Sequence, residues 1–553
     1  MARVSLLVVA LMLTFAPPVP GGDPDASAKL AAAQLRVDAA RRVRVLIRVA
    51  PMSEASERQL LRLGCVVERV RRDLFQAWVP VHALHAVAAL PEVRSVRPAD
   101  ALGSPGIVDD GDGDAQADLG EVRRRFAVSG RGVRVGVVSL GIRGLAESVA
   151  AGHLPATRFH CRAASRTIVR GAGGCRPGER LAETSGGVMA RSFRADGDLA
   201  PAGRAGAEGT AALELVHRAA RGAELWFANP ETDLDYLDAV EHLAGVVDVL
   251  VSDIVTHSYF PDGRNVVSET VAEILAHPDT RARVFVQPAG NLARGHYAGE
   301  YLDAARRDGP RHMHLFVSDA ETEGPPTPQP WNRITVPPWS AISIFLTWPR
   351  TEPAARYRLM LVDCASGRPV EPPDVVSYTN PSPSPVDACY AIRRPVGTPS
   401  AGVVNVTIAH RGDRVLHRFN TPSRSILPPA DTRADVIVVG AVPASRPDRI
   451  EPFSSRGPTF DGRPKPDVVS VDRLAVSGAG GYGSPFVGTS ASAAYVGGLA
   501  ALLLEINPEL GRADVIEILR QSAIPLDGAN VFGAGRVDPI AAALRALERR
   551  ARR

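Results

Sequence analysis

Lysine is almost absent from this chain: Lys29 and Lys465 are its only two lysines, and arginine carries nearly all the basic charge. The shortage points to no function, because Ala, Arg, Gly and Pro are used heavily in every segment whatever its expected structure. A surplus of one charge sign is also missing. The 64 basic and 60 acidic residues leave a formal +4, too nearly balanced to imply a nucleic-acid partner. His and Cys residues do not cluster at metal-ligand spacing, so no zinc centre or other cofactor is expected, and structural calcium leaves no readable signature. Long apolar runs are lacking beyond the N-terminus, where Val4 to Phe15 is too short to cross a bilayer comfortably.

That run follows Met-Ala-Arg and precedes Pro17, Pro18, Pro20, Gly21 and Gly22, the layout of an export signal over residues 1–22. A secreted or cell-envelope protein is expected, with no membrane span once the signal is removed. Five cysteines in an exported chain suggest disulfides, with Cys161–Cys175 and Cys364–Cys389 the locally plausible pairs and Cys65 left over.

The length exceeds one ordinary domain, and three folded units are expected. Over residues 40–100, Val43 to Val49 alternates like a strand and Ser53 to Leu63 reads as a helix capped by Ser53. Val66 to Val81 is strand-like again, and Val93 to Val96 closes a small α+β unit. A linker rich in Gly and Asp fills 101–131. From Gly132 strands and helices alternate: Val133 to Val138, a helix near Gly209 to Ala219, Glu224 to Ala228, a helix over Leu234 to Ala244, Val247 to Val251, and Val284 to Gln287. Continuous apolar strands between helices imply a parallel sheet covered on both faces, an α/β fold of three layers. The rhythm is assigned to 132–305 and 429–544. Between them, residues 306–428 are rich in Pro and carry short β-prone runs such as Ala341 to Trp348, Arg358 to Val362 and Gly402 to Ala409, which predict an inserted β-sandwich. Residues 545–553 form a basic helical tail, expected to be solvated.

The strongest motif is Gly488-Thr489-Ser490-Ala491-Ser492-Ala493-Ala494, followed by Gly497-Gly498 and the run Leu499 to Leu504. It puts a serine at the start of a buried helix, whose N-terminus favours negative charge developing at a reacting carbonyl. Upstream stand Phe453-Ser454-Ser455-Arg456-Gly457-Pro458-Thr459 and Lys465-Pro466-Asp467. Together these resemble the segment leading to the nucleophile of the subtilisin-like serine peptidases, the subtilases. Ala289-Gly290-Asn291 resembles the subtilase loop that bears a side-chain oxyanion donor, making Asn291 the candidate donor. The resemblance implies a subtilisin-like fold, protein or peptide substrates, and a propeptide, to which residues 40–100 are similar in element order and position.

The acid and the base depart from that pattern. Where subtilases end their first strand in Asp-Thr-Gly, this chain has Ser139-Leu140-Gly141, so Ser139 aligns with the missing Asp. Where they read His-Gly-Thr, it has Glu208-Gly209-Thr210. A glutamate base resembles the sedolisins, but the Asp that assists it there one helical turn later is replaced by Ala212. His217 falls on about the opposite helix face from Glu208 and reads as structural, while His257 and His296 read as surface or loop residues. Asp253, after the strand Val247 to Val251, is the candidate auxiliary acid. The expectation is a serine endopeptidase with Ser490 as nucleophile and Glu208 as base. The alternative is an inactive pseudopeptidase that binds peptides or a cell surface.

Overall fold

The computed structural model describes residues 38–49, 54–99, 117–163, 166–171, 174–176, 178–304, 312–317, 327–349, 357–370, 377–394, 402–411 and 416–552. The export-signal residues 1–22 and linker residues 101–116 lie outside the described residues. The chain divides into two compact units, residues 1–101 with 297–420, and residues 102–296 with 421–553.

In the second unit seven strands form one sheet, in the order Val468–Asp472, Ile437–Pro443, Val284–Pro288, Val249–Ser252, Arg134–Val138, Glu224–Asn229 and Val188–Ser192. Every neighbouring pair is parallel. The central strands read Val-Leu-Val-Ser and Val-Phe-Val-Gln-Pro and are buried throughout, as a sheet covered on both faces requires. Helices Glu208–Ala219, Asp233–Ala244, Val266–Ala276 and Thr489–Ile506 alternate with them. The last of these packs where glycine leaves room: a Cβ at Gly497 would lie 2.3 Å from Val251 Cγ2, and one at Gly498 would lie 2.3 Å from Ala219 Cβ.

Two findings differ from the sequence reading of this unit. Helix Thr489–Ile506 is long and apolar enough to cross a membrane by length and composition, and it is 94% buried inside the protein. A helix enclosed by core on all sides must be apolar all round, so it has the composition of a span without the single polar face of a surface helix. A three-stranded antiparallel sheet, Arg158–Ala163 with Arg166–Arg170 and Arg180–Ser185, was not anticipated. Strands Arg166–Arg170 and Arg180–Ser185 are largely exposed, so they lack the apolar alternation by which strands are found. The Cys161–Cys175 disulfide joins this region to itself.

In the first unit, Val66–Arg71, Leu74–Pro80, Arg42–Val49 and Val93–Pro98 form a four-stranded antiparallel sheet in that order. Helices Glu54–Arg62 and Leu84–Ala88 accompany it, and Val45, Ile47, Phe75 and Val87 are among its core residues. The stretch read as one strand from Val66 to Val81 is a hairpin, turning where Arg72 takes a φ of 53°. In residues 296–420, two further four-stranded sheets share a core that includes Ile334, Ile344, Leu361, Tyr390 and Val406. Their strands run from His296–Glu300 to Leu416–His417. The Cys364–Cys389 disulfide lies here, and Cys65 is a buried free thiol.

Candidate active site

Parallel strands bring their carboxyl ends to one edge of a sheet, where open α/β folds bind ligands. Three adjacent strands of the seven-stranded sheet end there in polar residues. Arg134–Val138 runs into Ser139, Val249–Ser252 into Asp253, and Val284–Pro288 into the turn Ala289-Gly290-Asn291. The Asp253 N–H donates to Val138 O at 3.2 Å, which sets Asp253 beside Ser139.

Two helices begin at the same edge. Glu208 opens the first, and the loop after Ser139 fixes that helix start: Gly209 N–H donates to Gly141 O at 3.0 Å and Thr210 Oγ1 to Arg143 O at 2.9 Å. The second opens at Thr489, after Gly488 with a φ of 128°, a conformation that only glycine takes without strain. Thr489 donates from N–H and Oγ1 to Asn291 Oδ1 at 3.0 and 2.8 Å, and its Oγ1 accepts from Gly290 N–H at 3.1 Å. With Oδ1 engaged, the Nδ2 amide is the donor end of Asn291, suited to an oxyanion because it needs no ionisation.

Ser490 is buried, and its Oγ has no hydrogen-bond partner among the described residues, so no Ser490–Glu208 hydrogen bond is made. Glu208 and Asp253 are each 1% exposed, which makes their charge expensive. Burial first, and then the negative charge of Glu208, push the Asp253 carboxyl well above the ordinary carboxylate range, with the nearby Ser139 hydroxyl opposing the rise. A buried carboxyl within reach of a second negative charge ionises reluctantly.

Residues 405–539 match the subtilase family model, a segment that contains Ser490 but not Glu208, Asp253 or Asn291. Over 125 residues the chain is 38% identical to the subtilisin-like protease SBT6.1 of Arabidopsis thaliana, covering 20% of this chain and 12% of that protein. It is 33% identical over 125 residues to the serine protease AprX of Bacillus subtilis, covering 19% of this chain and 28% of the other. Over residues 405–539 the chain is similar to the subtilases. It thus spans under a third of the length of either relative. Among solved structures, the CspB protease of Clostridium perfringens aligns with a TM-score of 0.45 at 13% identity, covering 79% of this chain and 99% of that one.

Beyond the motifs, two residues of this chain border the site without a sequence signal. Asp472 accepts from Gly488 N–H at 3.0 Å, directly before the nucleophile turn, and its carboxyl is raised well above the usual range by burial and then by Glu451. Glu451 in turn accepts from Arg473 Nε at 2.8 Å. Tyr482 lies in a glycine-rich stretch that reads only as a loop, yet its ring is 2% exposed and within electrostatic reach of both Glu208 and Asp253.

No histidine among the described residues hydrogen-bonds to Ser490 Oγ. His217 sits far along the Glu208 helix, where burial and then Arg221 lower its pKa. His257 lies in a loop, as expected, but is buried, and His296, expected at the surface or in a loop, is buried too. His296 begins a strand, with Nδ1 2.6 Å from Thr421 O. One trio of ligand-type side chains lies close together among the described residues, Cys161, Cys175 and Glu179, but its two sulfurs are bonded to each other.

Proposed function

We propose that this chain is a serine endopeptidase in which Glu208 takes the place of the histidine base and Asp253 assists it. The observation that carries the reading is the Glu208–Asp253 pair, buried at the strand ends and helix start where the nucleophile helix also begins. Ser490 Oγ attacks the carbonyl carbon of a peptide bond and its proton passes to Glu208. The new C–O bond pushes the carbonyl electrons onto oxygen, which Asn291 Nδ2 and backbone N–H groups at the helix start stabilise. Collapse breaks the C–N bond, the amine leaves with the proton from Glu208, and water releases the acyl group by the same steps. A carboxylate with an ordinary pKa of about 4.3 is a weak base at neutral pH, so an acidic optimum follows unless burial raises it.

The two disulfides support a chain made for an oxidising compartment, secreted or at the cell envelope. The four-stranded unit over residues 42–98 is read as a propeptide and own partner of the catalytic domain, and the paired sheets of residues 296–420 as an inserted β-sandwich. The deciding experiment is hydrolysis of a denatured protein between about pH 3 and pH 9, comparing wild type with Ser490→Ala and Glu208→Gln. Activity lost in both variants supports a Glu–Ser peptidase. One observation favours the second reading, a peptide-binding pseudopeptidase: Ser490 Oγ is buried with no hydrogen bond to a base. Wild type and Ser490→Ala equally inert across the range, after removal of the propeptide-like unit, would establish that reading instead.

A further inference from the structure

We propose that Asp472 is a positioning residue for the nucleophile: its carboxyl takes the Gly488 N–H and so fixes the backbone turn from which Ser490 projects. This rests on the peptidase reading of Ser490 and extends it to a residue outside the Gly488–Ala494 motif.

The loop over residues 474–486 closes at its base just ahead of the nucleophile helix. Leu474 N–H donates to Phe486 O at 3.0 Å and Phe486 N–H to Leu474 O at 2.8 Å, one hydrogen-bonded pair of an antiparallel ladder. The next such pair falls on Asp472 and Gly488, where a regular ladder would bring the Asp472 carbonyl to the Gly488 N–H. The backbone does not continue that way. Arg473 takes a φ of 59°, a left-handed conformation uncommon for any residue but glycine, while Asp472 stays paired with Pro443 in the parallel sheet. The side chain replaces the carbonyl: Asp472 Oδ2 accepts from Gly488 N–H at 3.0 Å. Strain of this kind persists only where the surroundings impose it. Here Arg473 Nε donates to Glu451 Oε1 at 2.8 Å, and the Glu451 N–H is itself bonded to Ala441 O at 2.9 Å in the neighbouring strand.

The backbone held in this way is that of the nucleophile. Gly488 is buried, and its carbonyl accepts the Ala491 N–H at 3.1 Å in the first turn of the helix. Ser492 Oγ lies 3.1 Å from both Ser470 O and Val471 O, so the same turn is tied to the strand that ends in Asp472. Asn291 Oδ1 holds Thr489. Without the Asp472 carboxyl, Gly488 N–H becomes an orphaned buried donor, and a glycine peptide with no side chain to restrain it is free to turn two residues before Ser490. Either protonation state of the carboxyl keeps an acceptor oxygen, so the role does not depend on pH.

The test compares Asp472→Leu, which has similar size and no acceptor, with Asp472→Asn, which keeps one. In the leucine variant kcat falls by about 100-fold, the order expected for a reacting group misplaced by about 1 Å, while KM changes by less than about threefold. The asparagine variant recovers kcat to within about tenfold of wild type. Hydrogen exchange at the Gly488 amide, read by mass spectrometry on fragments spanning residues 486–492, rises by at least about tenfold in Asp472→Leu and not in Asp472→Asn. Urea unfolding gives the folded fraction under assay conditions. A leucine variant within about threefold of wild-type kcat, an equal loss in both variants, a loss matching the folded fraction alone, or unchanged Gly488 exchange would overturn the proposal and leave Asp472 a buried cap. Should Asp472→Leu not fold, Arg473→Gly accepts the left-handed φ and removes the Glu451 ion pair; faster Gly488 exchange is then expected, and unchanged exchange overturns the proposal. If wild type is as inert as Ser490→Ala, the peptidase reading falls, while Gly488 exchange, which needs no turnover, still decides whether Asp472 holds the turn.

Discussion

Replacing Gly209 with alanine adds one methyl group at the start of the helix that carries Glu208, and the structure leaves no room for it. The new Cβ would lie 2.5 Å from Gly141 O and 2.5 Å from Phe227 Cε2. Ordinary contacts begin near 3.5 Å, so the helix start or its surroundings must move by about 1 Å. Alanine gains about 1 kcal/mol over glycine in helix propensity. Against that stand overpacking of about 1–3 kcal/mol and the weakening of the Gly209 N–H bond to Gly141 O, worth about 1 kcal/mol. The expected net effect is a destabilisation of about 1–3 kcal/mol, with Glu208 displaced from its place beside Asp253. Urea unfolding reads the first part as a lower midpoint at unchanged m, and kcat/KM at the optimum reads the second. A midpoint equal to or above wild type would mean that the close approach at Gly209 does not hold this helix start.

Asp253→Asn should raise stability at neutral pH. A carboxyl whose folded-state pKa lies above its unfolded value contributes stability that is fully present below the unfolded pKa and is lost as pH rises through the folded one. The advantage of the variant therefore appears on going from acid to neutral pH and vanishes below about pH 4, as urea midpoints across that range would show; an advantage independent of pH would refute the assignment. Cys161→Ser with Cys175→Ser opens a loop of sequence separation 14, and a loss of about 3 kcal/mol is expected by denaturant unfolding. Asn291→Ala should lower kcat by about 100- to 1,000-fold with little change in KM, since the amide acts on the oxyanion rather than on the bound substrate.

Ser490 was legible because its helix must begin with small residues to enter a crowded core, and that constraint leaves a run of Gly, Ala, Ser and Thr in the sequence. Glu208 was legible by position, since Gly209 and Thr210 bond to the loop after Ser139 and are retained around it. Asn291 could be named from its turn, but its orientation could not, because Thr489 stands 198 residues away and only folding brings its N–H and hydroxyl to Oδ1. Asp253 was a weak candidate because its value depends on a strand order that places Val249–Ser252 next to Arg134–Val138. Tyr482 was invisible for the opposite reason: glycines around it mark a loop, and loops are read as exposed until the fold buries one. The strands Arg166–Arg170 and Arg180–Ser185 of the small three-stranded sheet were missed because side chains that stay half in water carry no periodic signal.

The most direct measurement of the central claim is covalent labelling of Ser490 by a peptidyl phosphonate, followed by mass spectrometry as a function of pH. The account predicts one adduct on Ser490 in wild type, none in Ser490→Ala, and labelling slowed by about 100-fold or more in Glu208→Gln. Equal labelling rates in wild type and Glu208→Gln would contradict the assignment of Glu208 as the base, and no adduct on wild-type Ser490 at any pH would contradict the enzyme.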